Sequence, residues 1–466
     1  MLIVSVISII CMVSTKLFYK LNVPILLIFI FLGMLFGSDG LVGIHFDDFE
    51  FTGQMCSLAL VFIMFYGGFG TKWKLAKPVA LPSLLLSSLG VVMTAGLTGL
   101  FCHFVLKTTL IEGFLIGSIV ASTDAASVFA ILRAQKLNLK GHTGSILELE
   151  SGSNDPMAYM LTITILSMMK NPTGTNILDV VIMILVQVVF AVLVGVLLAK
   201  GTVYLLKHAH FEVEGFYTIF VVSITLLSYA LAEWLGGNGY LAVYLTGIII
   251  GNSKIPQKKI VFHFFDGISW IMQIMLFFML GLLSFPSRFS SITGTAIAIS
   301  LFMLFVARPL TVFIILAPFK FSIKEKLFIS WVGLRGAGSV VFAIFAITHG
   351  VNISFDIFHT IFFIALFSVL IQGSLIPKLA NSLDLVDKNE GSSILKTFTD
   401  YAGDIDAHLL EVEVRETSPW KDKPIIDSNI PEDVFIIMIK RGNKIVIPKG
   451  STLIKKGDIL VIAKEV

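Results

Sequence analysis

Leu147-Glu148-Leu149-Glu150-Ser151-Gly152-Ser153-Asn154-Asp155-Pro156 sets carboxylates, hydroxyls and an amide inside an apolar segment of a chain that is only 14% charged. A charge at membrane depth costs roughly 2.5–3.5 kcal/mol on insertion scales unless a partner or a water-filled path receives it, so such a stretch marks function. Two further segments carry the same interruption, Ala121-Ser122-Thr123-Asp124-Ala125-Ala126-Ser127 and Gly333-Leu334-Arg335-Gly336-Ala337-Gly338-Ser339. The three together predict an ion path.

The surrounding composition agrees. The 466 residues are 56% hydrophobic with 40 Phe, and the mean hydropathy is +0.91, too apolar for one soluble core. Apolar segments long enough to span a bilayer fall at 2–19, 23–38, 54–70, 79–106, 111–134, 146–169, 176–206, 215–235, 239–253, 261–284, 292–318, 326–348 and 356–380, which predicts an all-α polytopic membrane protein of about thirteen transmembrane helices. Basic residues cluster in alternate connections, at Lys16/Lys20, Lys72/Lys74/Lys77, Arg133/Lys136/Lys140, Lys200/Lys207, Lys254/Lys258/Lys259, Lys320/Lys324/Lys326 and Lys378. The intervening connections hold only Lys107, Lys170 and Arg288, beside the acidic Asp39, Asp47, Asp48 and Glu50. By the positive-inside bias the N-terminus is expected outside and the C-terminus in the cytoplasm of a cell (plasma) membrane.

A net charge of +3 is explained by that bias and gives no support to nucleic-acid binding. Cys11, Cys56 and Cys102 lack metal-ligand spacing and read as small buried hydrophobes. The first segment has no basic residues before it and Lys16 and Lys20 after it, so a true span is expected rather than a cleaved signal.

The grammar changes near Ala380. Residues 1–380 form the membrane domain, 381–404 read as a polar linker, and 405–466 alternate with period two in short runs such as Asp433-Val434-Phe435-Ile436-Ile437-Met438-Ile439-Lys440, parted by turns at Arg441-Gly442-Asn443 and Lys456-Gly457-Asp458. A small β-rich α+β cytoplasmic domain of about 60 residues is expected, and a core that small favours dimerisation. No G-x-G-x-x-G follows a strand, and Gly333-x-x-Gly336-x-Gly338 lies in a membrane span, so no dinucleotide site is implied.

Within the opening stretch, residues four apart share a helix face, so Glu150 neighbours Asn154 and Ser151 neighbours Asp155. Ser151 and Asp155 offer a hydroxyl and a carboxylate oxygen, the hard donors that replace the water of a monovalent cation. Ser118, Ser122, Thr123 and Ser127 around Asp124 are consistent with unwound backbone, whose free carbonyls, that of Thr123 for instance, could coordinate the ion. Arg335, among three glycines, marks the second candidate break. It is always charged and demands an anion; Glu150 is its expected partner, with Asn154 bridging. The broken segments are the fifth and twelfth spans, an odd offset that suggests two inverted repeats meeting at the midplane.

Arg308 and Arg335 are the only deep cations, and at least three deep carboxylates compete for them. A carboxylate without a cationic partner in a low-dielectric site is neutralised by a proton or by a bound cation, and so can trade one for the other. Asp155 and Asp124 are expected in that role, whereas a structural role suits Glu150, and Arg308, before Pro309, supports the site or the helix packing. Glu233-Trp234 lies at a segment end and reads as a solvated interface pair.

Thr123-Asp124, Glu150-Ser151-x-x-Asn154-Asp155, Arg308-Pro309 and Gly333-Leu334-Arg335-Gly336 resemble, in the same order, motifs of monovalent cation/proton antiporters of the NhaP type. The likeness extends over residues 1 to about 380. Gly236-Gly237-Asn238-Gly239-Tyr240-Leu241-Ala242-Val243-Tyr244 and Phe265-Asp266-Gly267-Ile268-Ser269-Trp270 look closest to the potassium/proton subgroup. The tail, through Glu411-Val412-Glu413-Val414, Pro448-Lys449-Gly450 and Lys456-Gly457-Asp458-Ile459-Leu460, is similar to the RCK-C (TrkA-C) ligand-binding subdomain. The resemblance implies cation ligation by the Thr123 carbonyl, Asp124, Ser151 and Asp155, and a structural ion pair of Glu150 with Arg335 through Asn154. It further implies a homodimer whose core domain moves against a dimerisation domain. A small cytoplasmic regulatory ligand, such as a cyclic dinucleotide, is expected in 405–466, and no cofactor. Potassium/proton members often carry a further domain after the RCK-C-like unit; this sequence stops at Val466, so different regulation is expected.

The resulting expectation is a secondary antiporter, not an enzyme, exchanging one cation, potassium in preference to sodium, for one proton. Asn154 in place of a second acid leaves one fewer titrating charge, hence electroneutral exchange. A sodium/proton antiporter is the nearest alternative. A cation channel gated by the tail, or a non-transporting sensor, stands further off, because no filter-like backbone motif is present and midplane carboxylates suit exchange better than conduction.

Overall fold

The computed structural model describes residues 9–10, 25–135, 137, 139–170, 176–208, 211–351, 353–386, 394–398, 407–416, 418–428, 430–431, 434–442 and 444–465. The expected first span and Cys11 lie outside them, save for residues 9–10. The chain divides into two compact units at Leu385/Val386.

The first unit is helical. Among the described residues seven helices are long and apolar enough to cross a membrane, and Leu26–Phe36, Leu110–Val120, Gly239–Gly251 and Ala337–Thr348 are shorter apolar helices. Thr143–Lys170, at 28 residues, has the length but not the composition, since it carries the opening polar stretch. An apolar exterior is what lipid solvation requires; along Ile177–His208 the residues Leu178, Ile182, Leu185, Val189, Leu193 and Leu197 are all exposed.

Packing sorts these helices into two groups. Helices within 25–70 and 177–282 form one, and those within 80–170 and 286–382 form the other. Each group thus draws on both halves of the chain, as paired repeats would provide. Apolar side chains gain nothing by leaving lipid for one another, so close backbone approach through small residues drives the packing. A Cβ on Gly33 would stand 2.2 Å from the Phe278 carbonyl oxygen, and one on Gly117 2.1 Å from that of Ala95.

The second group contains two interrupted helices. One runs Leu110–Val120, pauses over 121–124 and resumes at Ala125–Ala134; the other runs Ile323–Trp331, pauses over 332–336 and resumes at Ala337–Thr348. Single π-helical turns, Met303–Ala307 and Ser368–Gln372, interrupt two neighbouring helices. Such turns rotate the residues after them and often accompany functional sites.

The second unit is a five-stranded antiparallel sheet: β1 Ile394–Phe398, β2 Ala407–Glu413, β3 Val434–Arg441, β4 Lys444–Val446 and β5 Asp458–Glu465, in the order β1-β2-β5-β3-β4. β1 pairs with β2 although it falls in the stretch expected as linker. A bulge between Ile436 and Met438 shifts the inward alternation, so that Ile436 and Ile439 both enter the core with Val412, Val414, Ile454, Leu460 and Ile462. Arg441 holds the buried Asp458 with a two-pronged hydrogen bond, 2.7 Å from Nε and 2.7 Å from Nη2. The opposite face exposes Phe435, Ile445 and Ile447.

Candidate functional site

Non-helical backbone survives at membrane depth only if its freed N–H and C=O groups find partners, and the two breaks supply them to each other. The Asp124 N–H donates to the Leu334 carbonyl across the gap, at 2.8 Å. Arg335 Nη1 donates to the Ser122 carbonyl at 3.0 Å, and the Ser151 hydroxyl to the Thr123 carbonyl at 2.8 Å. Behind them, the Arg335 N–H donates to the Ser368 hydroxyl at 3.0 Å, and the Gln372 amide donates to the Trp331 carbonyl.

The crossing is tight because its second strand is glycine-rich. A Cβ on Gly336 would lie 2.4 Å from the Asp124 Cβ and 2.5 Å from its Oδ2, and one on Gly338 would lie 3.0 Å from the Ser122 hydroxyl and 3.3 Å from Asp155 Oδ1. Gly333 faces only the flexible Arg308 side chain. Gly336→Ala is therefore expected to cost about a hundredfold in transport rate, since a displacement near 1 Å can do so, whereas Gly333→Ala costs far less; flux assays on the two purified variants provide the check.

Asp155 and Asp124 both stand at the crossing. Asp155 Oδ1 accepts from the Ser122 hydroxyl. Asp124 caps Ala125–Ala134, accepting the Ser127 N–H at 3.2 Å and its hydroxyl at 2.5 Å. The N-termini of Ala125–Ala134 and Ala337–Thr348 both open here, placing partial positive charge beside the two carboxylates. Both acids remain partly accessible, while Glu150 and Asn154 on the adjacent face are only 1% exposed.

The expected ion pair is placed differently. Arg308, not Arg335, meets Glu150, with Nη2 2.5 Å from Oε1; Arg308 directly follows the π turn Met303–Ala307. The contact is an ion pair rather than an aligned hydrogen bond, and Arg308 Nε has no acceptor. Asn154 does not bridge to Arg335 either; its amide donates to the Thr123 hydroxyl. Ser122 and Ser127, which in the sequence mark only the unwound backbone, bond the two carboxylates directly, and Ser368 and Gln372 are site residues with no place in the sequence reading. Ser368 and Gln372 carried a signal, a polar pair four apart in an apolar helix, and are joined at 2.8 Å.

Residues 4–382 match the family model described as "Sodium/hydrogen exchanger, transmembrane". The chain belongs to that family. The exchanger's tail, residues 409–464, matches the TrkA-C domain. It is 35% identical to the K(+)/H(+) antiporter NhaP of Alkalimonas amylolytica over 99% of this chain and 81% of that protein. It is also 35% identical to the K(+)/H(+) antiporter NhaP2 of Shewanella sp. (strain ANA-3), over 95% and 77%. The Na(+)/H(+) antiporter 1 of Methanocaldococcus jannaschii is 30% identical over 72% of this chain and 80% of that protein. Among solved structures, that of the sodium proton antiporter MjNhaP1 from the same organism superposes with a TM-score of 0.72 at 25% identity, covering 82% of this chain and 97% of that one. The exchanger is thus a multi-pass membrane cation/proton antiporter with a small C-terminal sheet domain.

Proposed function

We propose that the chain exchanges potassium for protons, one for one and without net charge movement, with both substrates competing for Asp155 and Asp124. Ser151 and the Thr123 carbonyl complete the cation's ligands, and rocking of the two helix groups exposes the site to each side in turn. One observation carries the reading: among the described residues no cationic side chain pairs with Asp155, whose donor is the neutral Ser122 hydroxyl. Of the other deep charges, Glu150 pairs with Arg308, and Arg335 donates to the Ser122 carbonyl rather than to Asp155. Asp155 then needs one positive charge, and a proton or a monovalent cation serves equally.

Potassium is favoured because the K(+)/H(+) antiporters match nearly the whole chain; sodium is the second reading, favoured by the Na(+)/H(+) relative. The protein is proposed to lie in a plasma membrane with its N-terminus outside and its C-terminus in the cytoplasm, as a homodimer whose TrkA-C domain takes a small ligand. Acid-loaded proteoliposomes test the exchange. Potassium salts are expected to release protons, read as fluorescence dequenching, in a saturable and pH-dependent way with no current in a planar bilayer. Response to sodium alone transfers the protein to the sodium reading, and a steady current rejects the one-for-one stoichiometry.

A further inference from the structure

Glu233 ends the helix Gly215–Trp234, where a solvated residue was expected. Trp234 beside it is 81% exposed, but Glu233 turns inward and accepts the Gly239 N–H at 2.9 Å. Gly239 makes room for this: a Cβ there would lie 2.5 Å from the Tyr229 ring and 3.0 Å from the Glu233 Cγ. The groups facing the carboxylate are Tyr229 on its own helix, Tyr159 on Thr143–Lys170 and the Gly239 N–H at the start of Gly239–Gly251, with Tyr240 packed against both tyrosines. Among the described residues no lysine, arginine or histidine pairs with it. Like Asp155, it is a carboxylate held by neutral donors.

The two acids are joined by tyrosines. Tyr159 lies one helical turn beyond Asp155, on the same stripe of the helix. Its ring meets Tyr240 edge to face at 4.9 Å, and Tyr240 meets Tyr229 at 5.1 Å. Tyr229 in turn precedes Glu233 by one turn of its own helix. The Tyr240 hydroxyl is buried and faces the hydroxyls of Tyr229 and Ser57, so it stands between the two neighbouring groups that can hand it a proton. Asn238 fixes the register, donating to the Pro156 carbonyl, next to Asp155, at 2.7 Å. Both steps along this ladder lead toward the lysine-poor end of the membrane unit, since Tyr159 lies on the Lys170 side of Asp155 and Gly215–Trp234 runs away from Lys200 and Lys207.

We propose that Glu233 is a second proton-carrying carboxylate, coupled to Asp155 through Tyr159, Tyr240 and Tyr229, by which protons pass between the exchange site and the lysine-poor end. A phenol both donates and accepts, so each hydroxyl takes up one proton as it releases its own, and every tyrosine ends neutral. The inference rests on the antiport reading, and wild-type exchange with Asp155→Asn as the inactive control tests that reading separately.

Glu233→Gln keeps an acceptor for the Gly239 N–H and removes only the titration. In full-length protein in proteoliposomes it is expected to slow exchange roughly tenfold and to flatten the pH dependence of the rate; a wild-type rate and pH profile would leave Glu233 as a helix-end acceptor and overturn the proposal. Tyr159→Phe keeps the ring contacts and should slow exchange in the same sense. The double variant is expected to be no slower than the slower single one, as for two steps of one path, and losses that multiply would reject the coupling.

Discussion

Asp155→Asn should bring cation-driven proton release down to the background of empty vesicles, a loss of at least roughly a hundredfold when a positioned proton carrier is removed, while the purified variant elutes and melts as the wild type does. The fold should survive because an asparagine amide oxygen can still accept the Ser122 hydroxyl, and Asp155 bears no ion pair among the described residues. What is lost is the change of charge. A neutral amide offers the cation one weak oxygen and cannot release or bind a proton in the physiological range, so both substrates lose their shared site together. Asp124→Asn is a useful contrast, since Asp124 also caps Ala125–Ala134 through Ser127. Losing its charge removes the favourable interaction with the helix N-terminus as well, so a drop in melting temperature should accompany the drop in transport. Exchange that persists in Asp155→Asn would move the titrating role to another carboxylate.

Much of this site could be located from residue order, and the reasons are physical. Bilayer thickness fixes span length, so runs of apolar residues delimit helices without any knowledge of packing. Polar and glycine residues are costly in such runs, so 121–127, 147–156 and 333–339 stood out, and the structure brings all three to one crossing. Pairing within the crossing was harder to read. Both deep arginines stand out in the sequence, but which one meets Glu150 is set by how the helices pack, and the π turn at Met303–Ala307 just before Arg308 has apolar residues that look like any helix. Asn154 was assigned as a bridge from its place beside Glu150, whereas the unwound backbone put Thr123 nearer its amide. In the tail, Ile394-Leu395-Lys396-Thr397-Phe398 lacks clean alternation, and only pairing with β2 makes it a strand. Glu233 was misjudged because a helix end in the sequence is usually a helix end in water; here the following Gly236-Gly237-Asn238-Gly239 turn folds back against the site helix.

The pairing of Glu150 carries the second large effect. Arg308 is 5% exposed and Glu150 1%, so removing one partner strands the other charge in a medium that cannot solvate it, at a cost of about 3–5 kcal/mol. Glu150→Ala should therefore lower the melting temperature of the detergent-solubilised protein sharply, and Arg308→Met should do the same. Replacing both removes the stranded charge, and well-packed apolar pairs often stand as firm as the buried ion pair they replace. Glu150→Ala with Arg308→Met is accordingly expected to recover most of the stability lost by either single change. Arg335 gives the decisive comparison. Its side chain donates to the Ser122 carbonyl, not to Glu150, so Glu150→Ala with Arg335→Met should be less stable than either single variant. Recovery in that combination instead of the first would return the ion pair to Arg335. Transport separates the roles further: the rescued Glu150/Arg308 double variant keeps Asp155, Ser151 and the Thr123 carbonyl in place, so it should still exchange cations for protons, although the net charge around Asp155 is unchanged only because both members of the pair left together.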